Sequence, residues 1–212
     1  MKTYMIKTYS FEELCDGAKQ KALDNNRDWN TSCDEWWDSA YEDFYAIGEI
    51  LGVKIDNIWF SGFASQGDGL CFTGRFEYSR QWRRRLESYA PKTWEDHKTG
   101  RIKEDECNKE LHAIGERLQS EQRHAFYGIY GDIKHHGHYN HSGCTEFDIR
   151  HTWDGDASVT FDPEDIKQIL RELMDTFYQR LTKEYEYLTG DEAIGESLIA
   201  NECEFTESGE TY

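Results

Sequence analysis

The order of hydrophobic patterns in this sequence predicts an α+β fold, an antiparallel sheet of about four or five strands built from two strand pairs, with helices packed on it. Three observations carry that expectation. Apolar residues recur at helical spacing up to Leu51, the period drops to two from Val53 onward, and the patterns then alternate in pairs of helices and pairs of strands to the end of the 212 residues. A chain of this length can bury a full core without disulfides. Its aromatic content of 15% is too high for a disordered acidic chain. Residues 1–212 therefore read as a single domain, with a flexible insert at 92–103 and an acidic C-terminal segment at 189–212.

Ser10 and Glu13 carry the spacing of a capping box and open the first helix; Ser32 and Glu35 open the second in the same way. The second helix has a stripe of Trp37, Ala40, Tyr41, Phe44, Ile47 and Leu51, and Gly52 supplies a left-handed stop. Val53, Ile55, Ile58 and Phe60 read as one strand. Leu70, Phe72, Phe76 and Tyr78 alternate in the next, with Cys71, Thr73, Arg75 and Glu77 on its other face. The stretch SGFASQGDG between them joins an antiparallel pair.

A basic helix starts at Gln81 to Arg85 and ends before Pro91, and residues 92–103 have no periodic pattern. A helix from Glu104 to Gln122 turns Leu111, Ile114 and Leu118 inward. Tyr127, Ile129 and Ile133 alternate on the third strand; Thr145, Phe147, Ile149 and His151 alternate on the fourth against Glu146, Asp148 and Arg150. Asp162 caps and Pro163 begins the longest helix, with a stripe of Ile166, Ile169, Leu173, Phe177, Leu181, Tyr185 and Leu188. Thr189 and Glu192 cap a short helix, and ECEFTESGETY closes the chain as a strand and a frayed tail.

The formal net charge of -18 is unevenly spread. Residues 1–50 hold 11 Asp and Glu against 5 Lys and Arg, residues 51–150 hold 15 against 15, and residues 151–212 hold 16 against 4. Such a field repels nucleic acid and anionic membrane and attracts basic surfaces. On the second helix Glu35, Asp38, Glu42 and Glu49 fall on one face. Asp191, Glu192, Glu196, Glu202, Glu204, Glu207 and Glu210 extend the acidity at the end of the chain. Like charges at helical spacing cost a few tenths of a kcal/mol per pair, which a sequence shaped for stability alone avoids by mixing in lysines. Their spacing is comparable to that of phosphates along a nucleic-acid strand. These carboxylates, Glu210 apart, are the candidate partner-binding residues, and the expected partner is a basic protein, with no direct nucleic acid and no membrane.

Three other segments could carry chemistry. His135, His136, His138 and His141 lie close together with Cys144 just beyond, but alternation along a strand would point them to opposite sides, so a polar hairpin loop accounts for them better than a metal site. Ser65, Gln66 and Asp68 sit in a glycine-framed loop, a candidate contact surface whose amides could form an anion nest; the following element is a strand and no GK[ST] follows, so it is not a P-loop. Arg83, Arg84 and Arg85 beside Trp82 form the one basic cluster, best read as a solvated or internally paired helix face. The six cysteines are scattered without metal-ligand spacing and read as thiols of a reducing compartment. The opening residues lack the apolar stretch of a signal peptide, and no run of 18 apolar residues occurs. No catalytic residue and no cofactor is expected.

The stretches EWWDSAYEDF, IWFSGFASQGDGLCFTGRFEY and KEYEYLTGDEAIGESLIANECEFTESG resemble a family of small bacteriophage proteins commonly labelled "antitoxin of toxin-antitoxin stability system". The resemblance runs from the first helix to the tail, is weakest across residues 92–125, and is most specific in the SQGDG block. It implies a phage origin, expression in the bacterial host cytoplasm and a part in the contest between phage and host, and it assigns no catalytic residues. Taken with the charge, the expected function is that of an acidic binding protein that inhibits a host defence or toxin protein, by mimicry of nucleic acid. Two alternatives belong to other classes. One is a metal- or nucleotide-binding phage protein, hydrolase or ligand sponge, using the His135 to His141 cluster or the Ser65 to Asp68 loop; the other is a structural role in the virion.

Overall fold

The structure, a computed structural model, describes residues 7–33, 35–152 and 161–212. Strand β1 (Tyr9–Ser10) and helix α1 (Asp16–Asn25) come first, followed by α2 (Asp38–Leu51), β2 (Val53–Ser61) and β3 (Gly69–Phe76). Next are α3 (Trp82–Tyr89), β4 (Thr93–Asp96), β5 (Arg101–Glu104), α4 (Glu106–His124), β6 (Ile129–His135) and β7 (Thr145–His151). Helices α5 (Pro163–Leu188) and α6 (Asp191–Ala200) and strand β8 (Glu204–Phe205) complete the order. The class is α+β, with a four-stranded sheet and two two-stranded ones. None of the described helices is long and apolar enough to cross a membrane. The chain divides into two compact units: a terminal unit of Met1–Asp38 with Thr182–Tyr212, and a middle unit of Ser39–Leu181.

The middle unit is built on the antiparallel sheet β2-β3-β6-β7. The spacing of Val53, Ile55 and Ile58 breaks strict alternation by one residue, and the register shifts between Ile55 and Asn57, so that a bulge returns the later residues to the buried face. Phe44 and Phe177 stack at the centre, their rings 4.4 Å apart and both fully buried, with Phe72 at 6.2 Å from Phe177. Each such ring contributes about 1.5–3 kcal/mol of burial energy. Gly52 ends α2 at φ 89, and a Cβ there would strike the Glu77 carbonyl oxygen, so no other residue fits without strain. Asp162 caps α5 as its sequence demands, accepting from the Glu164 amide at 2.9 Å.

Four boundaries differ from the sequence expectation. Ser32 donates its hydroxyl to the Trp29 carbonyl and α2 starts only at Asp38, so Glu35 precedes the helix. In the Ser10 to Glu13 box the Glu13 carboxylate accepts from the Ser10 amide at 2.9 Å, but it encloses a single 3-10 turn, and α1 follows from Asp16. Before α6, the Thr189 hydroxyl donates back to Tyr185 O at 2.8 Å, and Gly190 holds the N-cap position. Residues 92–103 are largely a β-hairpin: the Asp96 carboxylate accepts from the Lys98 and Thr99 amides at 2.9 and 3.1 Å and closes the turn. With both faces open to solvent, Ile102 being 76% exposed, this hairpin had no alternating pattern to betray it.

In the terminal unit β1 pairs with β8, joining Tyr9 to Phe205 and Ser10 to Glu204. Leu14, Ala18, Ala22, Leu23, Ile194, Leu198 and Phe205 form its core, with Phe11 packed against it. Asn30 Nδ2 donates to Leu188 O at 2.9 Å and Arg27 Nη1 to Thr189 O at 3.1 Å, which fixes the end of α5 within this unit. The tail is ordered rather than frayed. Phe205 bridges Thr211, and the Tyr212 amide donates to Glu204 O at 2.9 Å.

Candidate functional site

Two loops that the sequence separates by some seventy positions meet in the middle unit. Residues 62–68 connect β2 to β3, and residues 136–144 connect β6 to β7. Gly69 lies so close to the second loop that a Cβ there would come within 2.6 Å of His141 Cβ, and Asn140 Nδ2 donates to Phe60 O at 3.2 Å. The nest in the first loop is filled by the protein itself: Asp68 Oδ2 accepts from the amides of Ala64 at 3.0 Å and Ser65 at 2.7 Å. Asp68 is thus a closing residue, while Ser65 and Gln66 are exposed. The Ser61 hydroxyl, at the base of this loop, is buried with no hydrogen-bond partner among the described residues.

The four histidines make separate contacts. His135 stacks on Trp59 with ring centroids 5.5 Å apart, and its Nε2 lies 3.0 Å from Tyr139 O. His136 faces Glu146 at 3.2 Å, and His138 meets the Tyr139 ring edge-on. At His141 the Gly143 amide donates to Nδ1 (3.1 Å), which in a neutral ring leaves the proton on Nε2, 3.4 Å from Cys144 Sγ. The imidazole therefore donates to the sulfur instead of accepting its proton, unlike the base of a thiol–imidazole dyad. Burial pushes the nearby Cys71 thiol up to about 12, helped by Cys144, so Cys71 stays protonated. Among the described residues, no three His, Cys, Asp or Glu side chains converge in a metal-holding group.

The acidic residues divide between the units. Asp38, Glu42 and Glu49 are exposed on α2, and Glu35 is exposed just before it; Glu49 lies 3.6 Å from Arg85. Asp191 pairs with Arg27 and Glu210 with Lys21. Glu192, Glu196, Glu202, Glu204 and Glu207 are all exposed. Glu196, Glu202 and Glu204 form no ion pair among the described residues. In the basic cluster, Arg83 pairs with Glu116, Arg85 faces Glu49, and Trp82 is buried with its Nε1 donating to Gln119 Oε1 at 3.1 Å.

The alternation of Tyr127 with Ile129 and Ile133 predicts a strand, but Tyr127 follows Phe126 in a left-handed turn, at φ 61 and φ 49, and β6 begins only at Ile129. The turn leaves Phe126 and Tyr127 60% and 44% exposed. One signal was available. Helix α4 ends at AFYG with no Gly or Asn at its stop, so larger residues must take the left-handed role.

Residues 36–191 match the family model described as Domain of unknown function (DUF8835), a span that takes in the whole middle unit and both loops. No curated protein and no solved structure matches the chain. A match over this much of its length settles the family: the chain belongs to DUF8835, a domain of unknown function.

Proposed function

We propose that this chain is a phage-encoded acidic binding protein that acts in the bacterial host cytoplasm and inhibits a basic defence or toxin protein by occupying its nucleic-acid surface. The observation that carries this is where the charge resides. The terminal unit holds 17 Asp and Glu against 6 Lys and Arg, whereas the much longer middle unit holds 25 against 18. On α6 Glu192 and Glu196 are one turn apart, about 5–6 Å; Glu202 follows in the turn before β8 and Glu204 opens that strand, both exposed. Exposed carboxylates at that spacing offer a basic groove what a phosphate backbone offers, without bases to read. The resemblance to small phage proteins supports the same reading from the side of biology.

The test is capture from host lysate on immobilised protein, eluted by rising salt, beside a variant carrying Glu192→Gln, Glu196→Gln, Glu202→Gln and Glu204→Gln. Asp191 is left in place because its carboxylate holds Arg27. A basic nucleic-acid-binding protein retained by the wild type and lost by the variant is the expected outcome. Equal retention by both would remove the mimicry.

A further inference from the structure

We propose that the groove beside the Phe126–Tyr127 turn, in the middle unit, is a nucleotide-binding site, with Tyr127 and Tyr130 facing the base and Arg75 and Arg80 the phosphate. It goes beyond the acidic terminal surface and does not depend on it.

Bulky aromatic residues seldom adopt a left-handed backbone, and here two do so in succession, at φ 49 and φ 61. The turn is held firmly: the amides of Phe126, Tyr127 and Gly128 donate to the carbonyls of Arg123, Gln122 and Ala125. A turn serving only to leave a helix would be built with Gly or Asn, and its side chains would not matter. Here the conformation delivers the Tyr127 ring to the surface, where Tyr78 braces it at 4.6 Å. Tyr130, 39% exposed, lines the same groove of about 650 Å³, a volume within the range of small-molecule sites.

The charged groups of the groove are weakly committed. Arg75 lies 3.9 Å from Asp132, beyond hydrogen-bonding distance, and Arg80 is exposed with no ion pair among the described residues. Guanidinium groups bind phosphate oxygens in paired fashion, and exposed tyrosine faces stack on bases. Glu77 and Asp132, which also line the groove, supply acceptors for base N–H groups and ribose hydroxyls. Aromatic faces, forked cations and carboxylate acceptors together match a nucleotide; phosphate alone would leave the rings unused. The negative charge of the whole chain opposes a long polyanion, so the expected source is a free mononucleotide and not a nucleic-acid strand.

Calorimetric titration of the full-length protein with AMP, GMP, CMP and UMP, with adenosine, with inorganic phosphate and with a short oligothymidylate tests this. At least one mononucleotide should bind saturably, with adenosine and phosphate each at least tenfold weaker. Tyr127→Asn, which keeps the left-handed turn but removes the ring, and Arg80→Ala should each weaken binding at least tenfold while circular dichroism and Tm stay at wild-type values. Oligothymidylate binding far more tightly, in a salt-dependent way, would identify the source of the nucleotide as a single strand; comparable affinity would identify it as free. Absence of binding by every mononucleotide and by the oligomer at about 10 mM, equivalent to a Kd weaker than millimolar, or undiminished binding by both variants, would overturn the site.

Discussion

The two units use their carboxylates in different proportions. In the middle unit many acidic side chains are paired with arginines: Glu116 with Arg83, Glu172 with Arg117, Glu49 with Arg85, Asp43 with Arg180 and Asp148 with Arg150. In the terminal unit Lys21 and Arg27 are matched to Glu210, Asp24 and Asp191, and the exposed carboxylates from Glu196 to Glu204 are left over. If acidity served only to keep the protein soluble, it would be spread over both surfaces. Its concentration beside a small core of seven buried residues is what the proposed binding role requires, a field gained at some expense of stability.

The largest effect that bears on this contrast concerns the middle unit's reliance on its core. Phe44→Ala removes a fully buried ring stacked on Phe177 and should lower the unfolding free energy by about 3–5 kcal/mol, read from urea denaturation. A loss under about 1 kcal/mol would mean that the site collapses freely and that the aromatic core has been overrated. Gly52→Ala comes next. It forces a left-handed backbone on alanine and a clash with Glu77, for a cost of about 1–3 kcal/mol in the same assay.

Charge neutralisation sharpens the comparison through its sign. Glu116→Gln or Glu172→Gln removes one side of an existing pair and should destabilise by up to about 1 kcal/mol. Glu196→Gln relieves repulsion from its α6 neighbour Glu192 and should stabilise by a few tenths of a kcal/mol at low salt, the gain fading as salt screens the field. Thermal melts at two ionic strengths would detect both. The same sign in both units would erase the distinction.

The smallest effect is a pH dependence confined to the middle unit. The Tyr89 hydroxyl donates to Asp43 Oδ1 at 2.6 Å; that hydrogen bond, then burial, pushes its pKa up to about 12. Unfolded tyrosine titrates near ~10, so the folded state holds the proton more tightly. This contribution is complete below about pH 10 and disappears as pH rises through about 12. Tyrosinate absorbance should show a late-titrating group that Tyr89→Phe abolishes, while Tyr178, whose pKa burial also raises, is unaffected by that substitution.

Much of the middle unit could be read from the sequence because buried faces impose a period. Phe72 and Phe76 alternate with the half-buried Thr73 and the exposed Arg75, although Cys71 on that side is buried like its neighbours, and the Phe44, Ile47 and Leu51 stripe persists up to the glycine that must end it. The β4–β5 hairpin escaped because neither face is buried, and periodicity records burial only. The start of α2 was misplaced because a capping spacing is also satisfied by a turn, as Ser32 shows. At the candidate site, composition located the acidic residues and the two unusual loops. Their meeting at Gly69 and His141 depends on register between strands far apart in the chain, and the filling of the glycine loop by Asp68 depends on atomic geometry. No single sequence carries either fact.

The central claim is that location, not total charge, makes the terminal unit the binding surface. Lysate from a defence-competent host should be passed in parallel over the wild type, over the four-site glutamine variant of Glu192, Glu196, Glu202 and Glu204, and over a control with the same charge change in the middle unit. Glu87, Glu95 and Glu110 to Gln with Asp175 to Asn supplies that control, all four being exposed. The account predicts that wild type and control retain the same basic nucleic-acid-binding protein until high salt, and that the terminal variant releases it at low salt. Equal retention by all three, or equal loss from both variants, would contradict it.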